Sequence, residues 1–150
     1  MTSDMRSYLD LVSKNGELAI IKKKVSTKFE IAAITSKMDG SKALLFENVK
    51  DSKFRVVSNL VGTRKRFAYA VGATEGKIHD KVISAIKHAS KPKITTKAKF
   101  MENQSRDLFT LPIVTHFDKE PGPFITSSIV YTKNQEMGTQ NSSFNRLLRI

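Results

Sequence analysis

The chain changes its pattern of secondary structure near residue 105, and this change limits the folds open to it. Helical and strand-like patterns are mixed before that point, whereas the segments after it are strands and turns. The polar stretch at residues 102–108, ENQSRDL, separates the two regions and is typical of a domain boundary. The sequence therefore predicts an α+β protein with a mixed α/β domain at residues 1–106 and a second, all-strand region at residues 107–150.

Local start and stop signals place the first helices. A helix is predicted from Asp4 to Lys14, with Ser3 as its cap and Asn15-Gly16 as its end. Thr27 and Glu30 have the spacing of a capping box and predict the start of a second helix. Strands are predicted at residues 17–25, 42–49, 54–60 and 93–103.

Two further helices follow. Thr63 is predicted to cap a helix whose first turn is strongly basic, with Arg64, Lys65 and Arg66. Cations there oppose the helix dipole, so the turn either receives an anion or is a solvated surface. Residues 75–89 form the clearest amphipathic pattern, with one apolar face made of Ile78, Val82, Ala85, Ile86 and Ala89.

Charge and composition restrict the classes of function. The net charge is +12, and residues 51–100 carry 12 basic and 3 acidic side chains. Such a surface is either a solvated lysine-rich face or a site for a polyanion or phosphorylated partner. Aromatic residues do not alternate with the basic ones to form a stacking platform, which argues against nucleic acid as a partner. The chain has no cysteine and no apolar run long enough to span a membrane, and its N-terminus does not resemble a secretory signal, so we expect a cytoplasmic protein.

The last two strands carry the most concentrated polar chemistry. Alternation along the final strand predicts that Asn141, Ser143 and Asn145 share one face, unless a bulge re-aims them. Ser142, Phe144 and Arg146 would share the other face, and the preceding strand adds Thr126 and Ser128. Such hydroxyls and amides suit a phosphate or a metal–phosphate pair, although an ordinary solvated hairpin has the same pattern. The histidines at positions 79, 88 and 116 have no metal-binding spacing.

Several motifs in this region, taken in order, resemble those of the UbiD family of carboxy-lyases. The matching residues are Leu111-Pro112-Ile113, Gly122-Pro123, Ile125-Thr126, Glu136 with Gly138, and Asn141, Ser143 and Arg146. The stretch SNLVGTRKRFAYAVG at residues 58–72 also resembles the N-terminal α/β domain of this family. The resemblance implies that residues 107–150 form the first hairpin of a split β-barrel of the flavin-reductase-like kind.

The resemblance also implies a chemistry. UbiD enzymes remove CO2 from unsaturated or aromatic carboxylic acids, using prenylated FMN supplied by the flavin prenyltransferase UbiX. A divalent metal, usually Mn²⁺, bridges protein and flavin phosphate, and K⁺ often lies nearby. By this resemblance Asn141 is a metal ligand and Arg146 is catalytic, contacting both flavin and substrate carboxylate. Thr126, Ser143 and Phe144 are further cofactor-binding residues.

The chain departs from the family pattern in its turn, NQEMG, at Asn145, where many members have histidine, and in length. The other metal ligands of the family, a His and a Glu, lie further along its chains. We therefore expect the N-terminal part of a carboxy-lyase that is inactive and binds flavin poorly alone, and that forms a homo-oligomer when intact. The alternatives are a basic binding module for nucleic acid or a phosphorylated partner, and a non-catalytic subunit that completes a barrel in trans.

Overall fold

The computed structural model describes residues 4–90, 95–96, 102 and 104–150. Within these residues the helices are α1 (Met5–Lys14), α2 (Glu30–Lys37), α3 (Arg64–Val71) and α4 (Ile78–Lys87). The strands are β1 (Leu18–Ile21), β2 (Ala43–Phe46), β3 (Val56–Ser58), β4 (Phe124–Lys133) and β5 (Gln140–Leu148). The mixed α/β character of the chain is confirmed. The strand predicted at residues 93–103 lies almost entirely outside the described residues.

Helix α1 begins where predicted, with a different cap. The Asp4 carboxylate accepts a hydrogen bond from the Ser7 backbone N–H at 2.8 Å, and the Ser7 hydroxyl accepts one from the Asp4 N–H at 3.3 Å. This reciprocal pair satisfies two N–H groups at the start of the helix. The predicted cap, Ser3, lies outside the described residues.

The predicted capping box at the start of α2 is wrong. Phe29 occupies the N-cap position with φ of 71°, and no side chain caps the helix. The Glu30 carboxylate instead accepts a hydrogen bond from the backbone N–H of Ser26, at 2.6 Å. The reason is a long-range contact, because Thr115 pairs with the backbone of Thr27 and Phe29 at 3.0 and 3.1 Å. Local sequence spacing cannot show such a contact.

The first sheet has the strand order β1-β2-β3 and packs against a small hydrophobic core. Strand β2 is parallel to β1 and antiparallel to β3. Its four residues are all buried, and Leu44 and Phe46 have no exposed surface. The core beside this strand consists of Val25, Ile31, Leu44, Phe46 and Val49.

A strap formed by residues 108–116 attaches the second region to this sheet. Thr115 pairs with Lys28, and Val114 packs against the core. The hydroxyl of Ser52 also donates a hydrogen bond to the carbonyl oxygen of Thr110 at 3.3 Å. The strap therefore ties the start of the second region to the N-terminal sheet. The boundary between residues 106 and 107 stays a prediction.

Helix α4 forms as the periodicity predicts, after a short 3₁₀ turn at Glu75–Lys77. On its apolar face Ile78 is buried, at 8% accessible, but Val82 and Ile86 are 38% and 69% accessible, so most of the face is exposed. This face therefore lies outside the core of the described residues. In the part of the chain that the structure describes, no helix is long and apolar enough to cross a membrane.

Candidate functional site

The β4–β5 hairpin has the predicted strands and turn. Asn134 organises the turn, because its side-chain oxygen accepts hydrogen bonds from the N–H groups of Glu136 and Met137 at 2.9 Å each. Gly138 adopts φ of 69°, a conformation that glycine takes without a steric penalty. The altered turn sequence thus still closes an ordinary two-strand hairpin.

The hairpin contains a β-bulge. On the side of the bulge nearer the turn, Ser128 pairs with Asn145, and on the side away from the turn, Ile125 pairs with Leu147. Thr126 and Ser127 together therefore lie opposite Arg146. Bulges of this kind re-aim side chains, and they are frequent beside active sites. The bulge brings together two residues singled out in the sequence, Thr126 and Arg146.

One face of β5 carries the predicted amide and hydroxyl groups. Thr132 lies opposite Asn141, and Val130 lies opposite Ser143. On the same face, the side-chain amide of Asn145 donates to the Ser143 hydroxyl at 2.9 Å. The asparagine that departs from the family pattern thus holds the hydroxyl of a candidate cofactor-binding serine.

The other face carries Phe144 and Arg146. Phe144 lies opposite Ile129 and is 82% exposed. The guanidinium carbon of Arg146 lies 5.8 Å from the ring centroid of Phe124, within the range of a cation–π contact. The regular alternation of β5 places Asn141 and Ser143 on one side of the strand and Arg146 on the other. The predicted site residues therefore form two groups in this structure.

The donor set around Asn141 is incomplete. Among the described residues, no group of three His, Asp or Glu side chains could hold a metal ion. A single amide oxygen is a hard ligand, but it does not bind a divalent ion tightly without others. The residues present thus fit one part of a metal site.

A groove of about 560 Å³ opens beside the bulge. Thr126 and Ser127 line it on one side, and α2, β3 and the strap line it on the other. Its walls are largely apolar, with the hydroxyls of Thr35 and Ser58 hydrogen bonded to each other at 2.9 Å. The groove therefore separates the N-terminal sheet from the start of β4.

The basic turn at the start of α3 contacts an acidic side chain of the same chain. Thr63 caps the helix as predicted, accepting a hydrogen bond from the Arg66 N–H at 3.2 Å. Arg66 is completely buried, and its guanidinium donates to Glu17 at 3.1 Å and to the Ser41 carbonyl. Lys65 contacts the same carboxylate at 2.7 Å. The anion at this turn is thus Glu17 of the same chain.

Sequence reasoning missed this ionic cluster, which consists of Glu17, Lys65 and Arg66. Its partners are 48 and 49 residues apart in the chain, so no local pattern shows them. Tyr8 completes the arrangement, because its hydroxyl lies 2.9 and 2.8 Å from the carbonyl oxygens of Leu60 and Arg66. Burial raises the pKa of the Tyr8 hydroxyl, and the nearby Arg66 charge opposes this shift. Two of the basic residues are therefore paired with a carboxylate of the same chain, which weakens the polyanion-binding alternative.

The cluster predicts an acid-dependent loss of stability. The hydrogen bond from Lys65 is the main cause that holds the pKa of Glu17 below its ordinary value of 4.5. Because the folded-state pKa is the lower one, this stabilisation is complete above pH 4.5 and is lost as the pH falls through the folded value. We expect Glu17→Gln to flatten the fall in unfolding free energy below that pH, as measured by urea titrations. An unchanged pH slope in Glu17→Gln would contradict the assignment.

Comparisons with known proteins agree with the geometry and identify the class. The family profile described as the 3-octaprenyl-4-hydroxybenzoate carboxy-lyase N-terminal domain matches residues 9–86. The profile of the carboxy-lyase Rift-related domain matches residues 87–150. The chain therefore belongs to the UbiD family, a family of decarboxylases.

Individual relatives give the same result. The chain is 32% identical over 147 residues to an anhydromevalonate phosphate decarboxylase of Methanosarcina mazei, covering 97% of this chain and 33% of the relative. Among solved structures, the UbiD-class enzyme HmfF from Pelotomaculum thermopropionicum in complex with FMN superposes with a TM-score of 0.86 at 32% identity, covering 94% of this chain and 33% of HmfF. An evolved dimeric form of HmfF, in complex with prFMN, gives 0.80 at 30% identity. The chain spans about a third of the length of these relatives.

Proposed function

We propose that this chain supplies the N-terminal α/β domain and the first barrel hairpin of a prenylated-FMN-dependent carboxy-lyase. The reaction is the non-oxidative decarboxylation of an α,β-unsaturated or aromatic carboxylic acid. The observation that carries the proposal is the bulged hairpin, in which Arg146 lies over Phe124 and opposite Thr126. Both the family match and the HmfF structure with prFMN support it.

In this proposal Arg146 is the catalytic residue. A guanidinium offers a planar fork that fits a carboxylate, and it stays charged at any physiological pH. Among the described residues no carboxylate forms an ion pair with Arg146, so its fork is not neutralised by one of them. The residue can therefore orient the substrate carboxylate before CO2 leaves.

The remaining candidates hold the cofactor. The Thr126 and Ser143 hydroxyls are exposed and suit phosphate or ring-edge hydrogen bonds, and the exposed ring of Phe144 offers an apolar surface for a flavin. Prenylated FMN, when bound, supplies the electron sink for the electron pair left by CO2. Asn141 would give one oxygen to Mn²⁺, with K⁺ nearby. The other metal ligands would come from outside the described residues.

The partners follow from this assignment. The flavin prenyltransferase UbiX would provide the cofactor, and the intact enzyme would be a homo-oligomer that acts on a small carboxylic acid. A barrel completed in trans by another chain remains a variant of the same proposal. The nucleic-acid alternative has little support, because Arg66 is buried and Lys65 is paired with Glu17.

Flavin retention tests the proposal. We expect the purified chain, produced together with UbiX, to carry no flavin absorbance, because its site is incomplete. A chimaera in which this chain replaces the matched 147-residue segment of the Methanosarcina mazei enzyme should retain prenylated FMN. A chimaera that folds but binds no flavin would contradict the proposed role of the hairpin. Flavin retained by the isolated chain would overturn the expectation of an incomplete site.

A further inference from the structure

The bulge determines which residue of β4 contacts Arg146. Between the bulge and the turn, Ile129 pairs with Phe144 and Ser128 with Asn145. Continuing that register without a bulge would pair Ile125 with Leu148. The observed register pairs Ile125 with Leu147, so the lower part of β4 is displaced by one residue.

A one-residue displacement exchanges the two faces of a strand. In the observed register Phe124 pairs with Leu148, which lies on the same face of β5 as Arg146. The ring of Phe124 consequently lies 5.8 Å from the Arg146 guanidinium. In a register without the bulge, Phe124 would lie on the opposite face and this contact would be lost. The bulged register is thus a condition for the contact between Phe124 and Arg146.

Arg149 makes the contacts that can select this register. Its backbone N–H donates to the Pro123 carbonyl at 3.1 Å, which extends the lower register by one step. Its guanidinium carbon lies 4.9 Å from the ring centroid of Phe109, and Nη1 donates to the Leu111 carbonyl at 3.5 Å. The end of β5 is therefore fastened to the strap.

The strap is itself held in place. The Asp107 carboxylate accepts a hydrogen bond from the Phe109 N–H at 2.8 Å, and Ser52 donates to the Thr110 carbonyl. Glycine at position 122 allows close packing, since a Cβ there would lie 3.0 Å from Cδ1 of Leu148. The N-terminal sheet, the strap and the lower hairpin thus form one continuous set of contacts.

We propose that Arg149 is a positioning residue, which holds the bulged register through Phe109 and the strap and thereby places Arg146 over Phe124. The catalytic meaning of this placement rests on the proposed function. The register itself does not, and it can be measured on this chain without cofactor or substrate.

Disulfide trapping measures the register directly, because the chain has no cysteine. The pair Ile125→Cys with Leu147→Cys reports the bulged register, and Ile125→Cys with Leu148→Cys reports the register without a bulge. The pair Ile129→Cys with Phe144→Cys is an internal reference that both registers allow. Each pair is tested in the otherwise unchanged chain and in chains that also carry Phe109→Leu, Arg149→Leu or Arg106→Leu.

We expect the first pair to cross-link far better than the second in the unchanged chain and with Arg106→Leu. Arg149→Leu should lower the ratio of the two cross-links roughly tenfold, which is the effect of losing one cation–π contact and one hydrogen bond. Phe109→Leu removes only the cation–π contact and should lower the ratio by about threefold. The ring-current shift of the Arg146 side-chain protons should fall in parallel. An unchanged ratio in both variants would overturn the proposal. Loss of the reference cross-link with Phe109→Leu would also overturn it, because the contact would then maintain folding and not register.

Discussion

Replacing Arg146 by alanine in the chimaera is expected to lower kcat/KM for anhydromevalonate phosphate by about a thousandfold. The side chain is proposed to hold the substrate carboxylate, and a charge-assisted fork of this kind contributes several kcal/mol in a closed active site. The measurement is steady-state CO2 release by chimaeras that contain equal amounts of flavin. Arg146→Lys should recover only a small part of the loss, because an ammonium group lacks the planar fork.

Arg106 provides the matched control for this prediction. It is an exposed arginine within the second matched region and outside the hairpin, and Arg106→Ala should leave kcat/KM unchanged. An Arg146→Ala chimaera that retains its flavin and keeps more than a tenth of the activity would show that Arg146 is not catalytic.

Replacing Arg66 by alanine is expected to destabilise the chain by about 3 kcal/mol, since it removes a buried side chain and its hydrogen bonds and leaves a cavity. For a domain of this size the midpoint of thermal unfolding should fall by roughly 10 °C. Through Glu17 and Ser41 the guanidinium joins α3 to the residue before β1 and to the turn before β2, so its loss affects three parts of the chain together. Differential scanning calorimetry measures the change.

Lys65 is the internal control for the cluster. It shares the partner Glu17 with Arg66, but 48% of its side chain is exposed. Exposed ion pairs contribute little to stability, so Lys65→Ala should shift the midpoint far less than Arg66→Ala. Equal shifts for the two variants would show that burial of Arg66 does not determine its contribution.

Patterns confined to short stretches of sequence predicted much of the fold. The hairpin, its turn and the Thr63 cap are confirmed, because each depends on residues that are neighbours in the chain. The capping box at Thr27 and Glu30 failed because Thr115, far away in sequence, pairs with that segment. The exposed face of α4 shows the same limit, since periodicity indicates which residues share a face and does not show what covers it.

In the candidate site, too, local patterns were predicted from the sequence and long-range contacts were not. Alternation along β5 correctly separated Asn141 and Ser143 from Arg146. The sequence does not predict where a bulge lies beside Arg146, because its position depends on the register of two strands. For the basic turn at Arg64, Lys65 and Arg66 the sequence left two interpretations open, an external anion or a solvated surface, because the internal partner Glu17 lies 49 residues from Arg66.

Release of CO2 from anhydromevalonate phosphate by the chimaera with the Methanosarcina mazei enzyme tests the central claim most directly. The claim is that this chain provides a working N-terminal portion of a carboxy-lyase. We expect the chimaera, produced together with UbiX, to release CO2 in a flavin-dependent manner, and the isolated chain to release none. A folded, flavin-loaded chimaera that releases no CO2, while the parent enzyme does so under the same conditions, would contradict the claim.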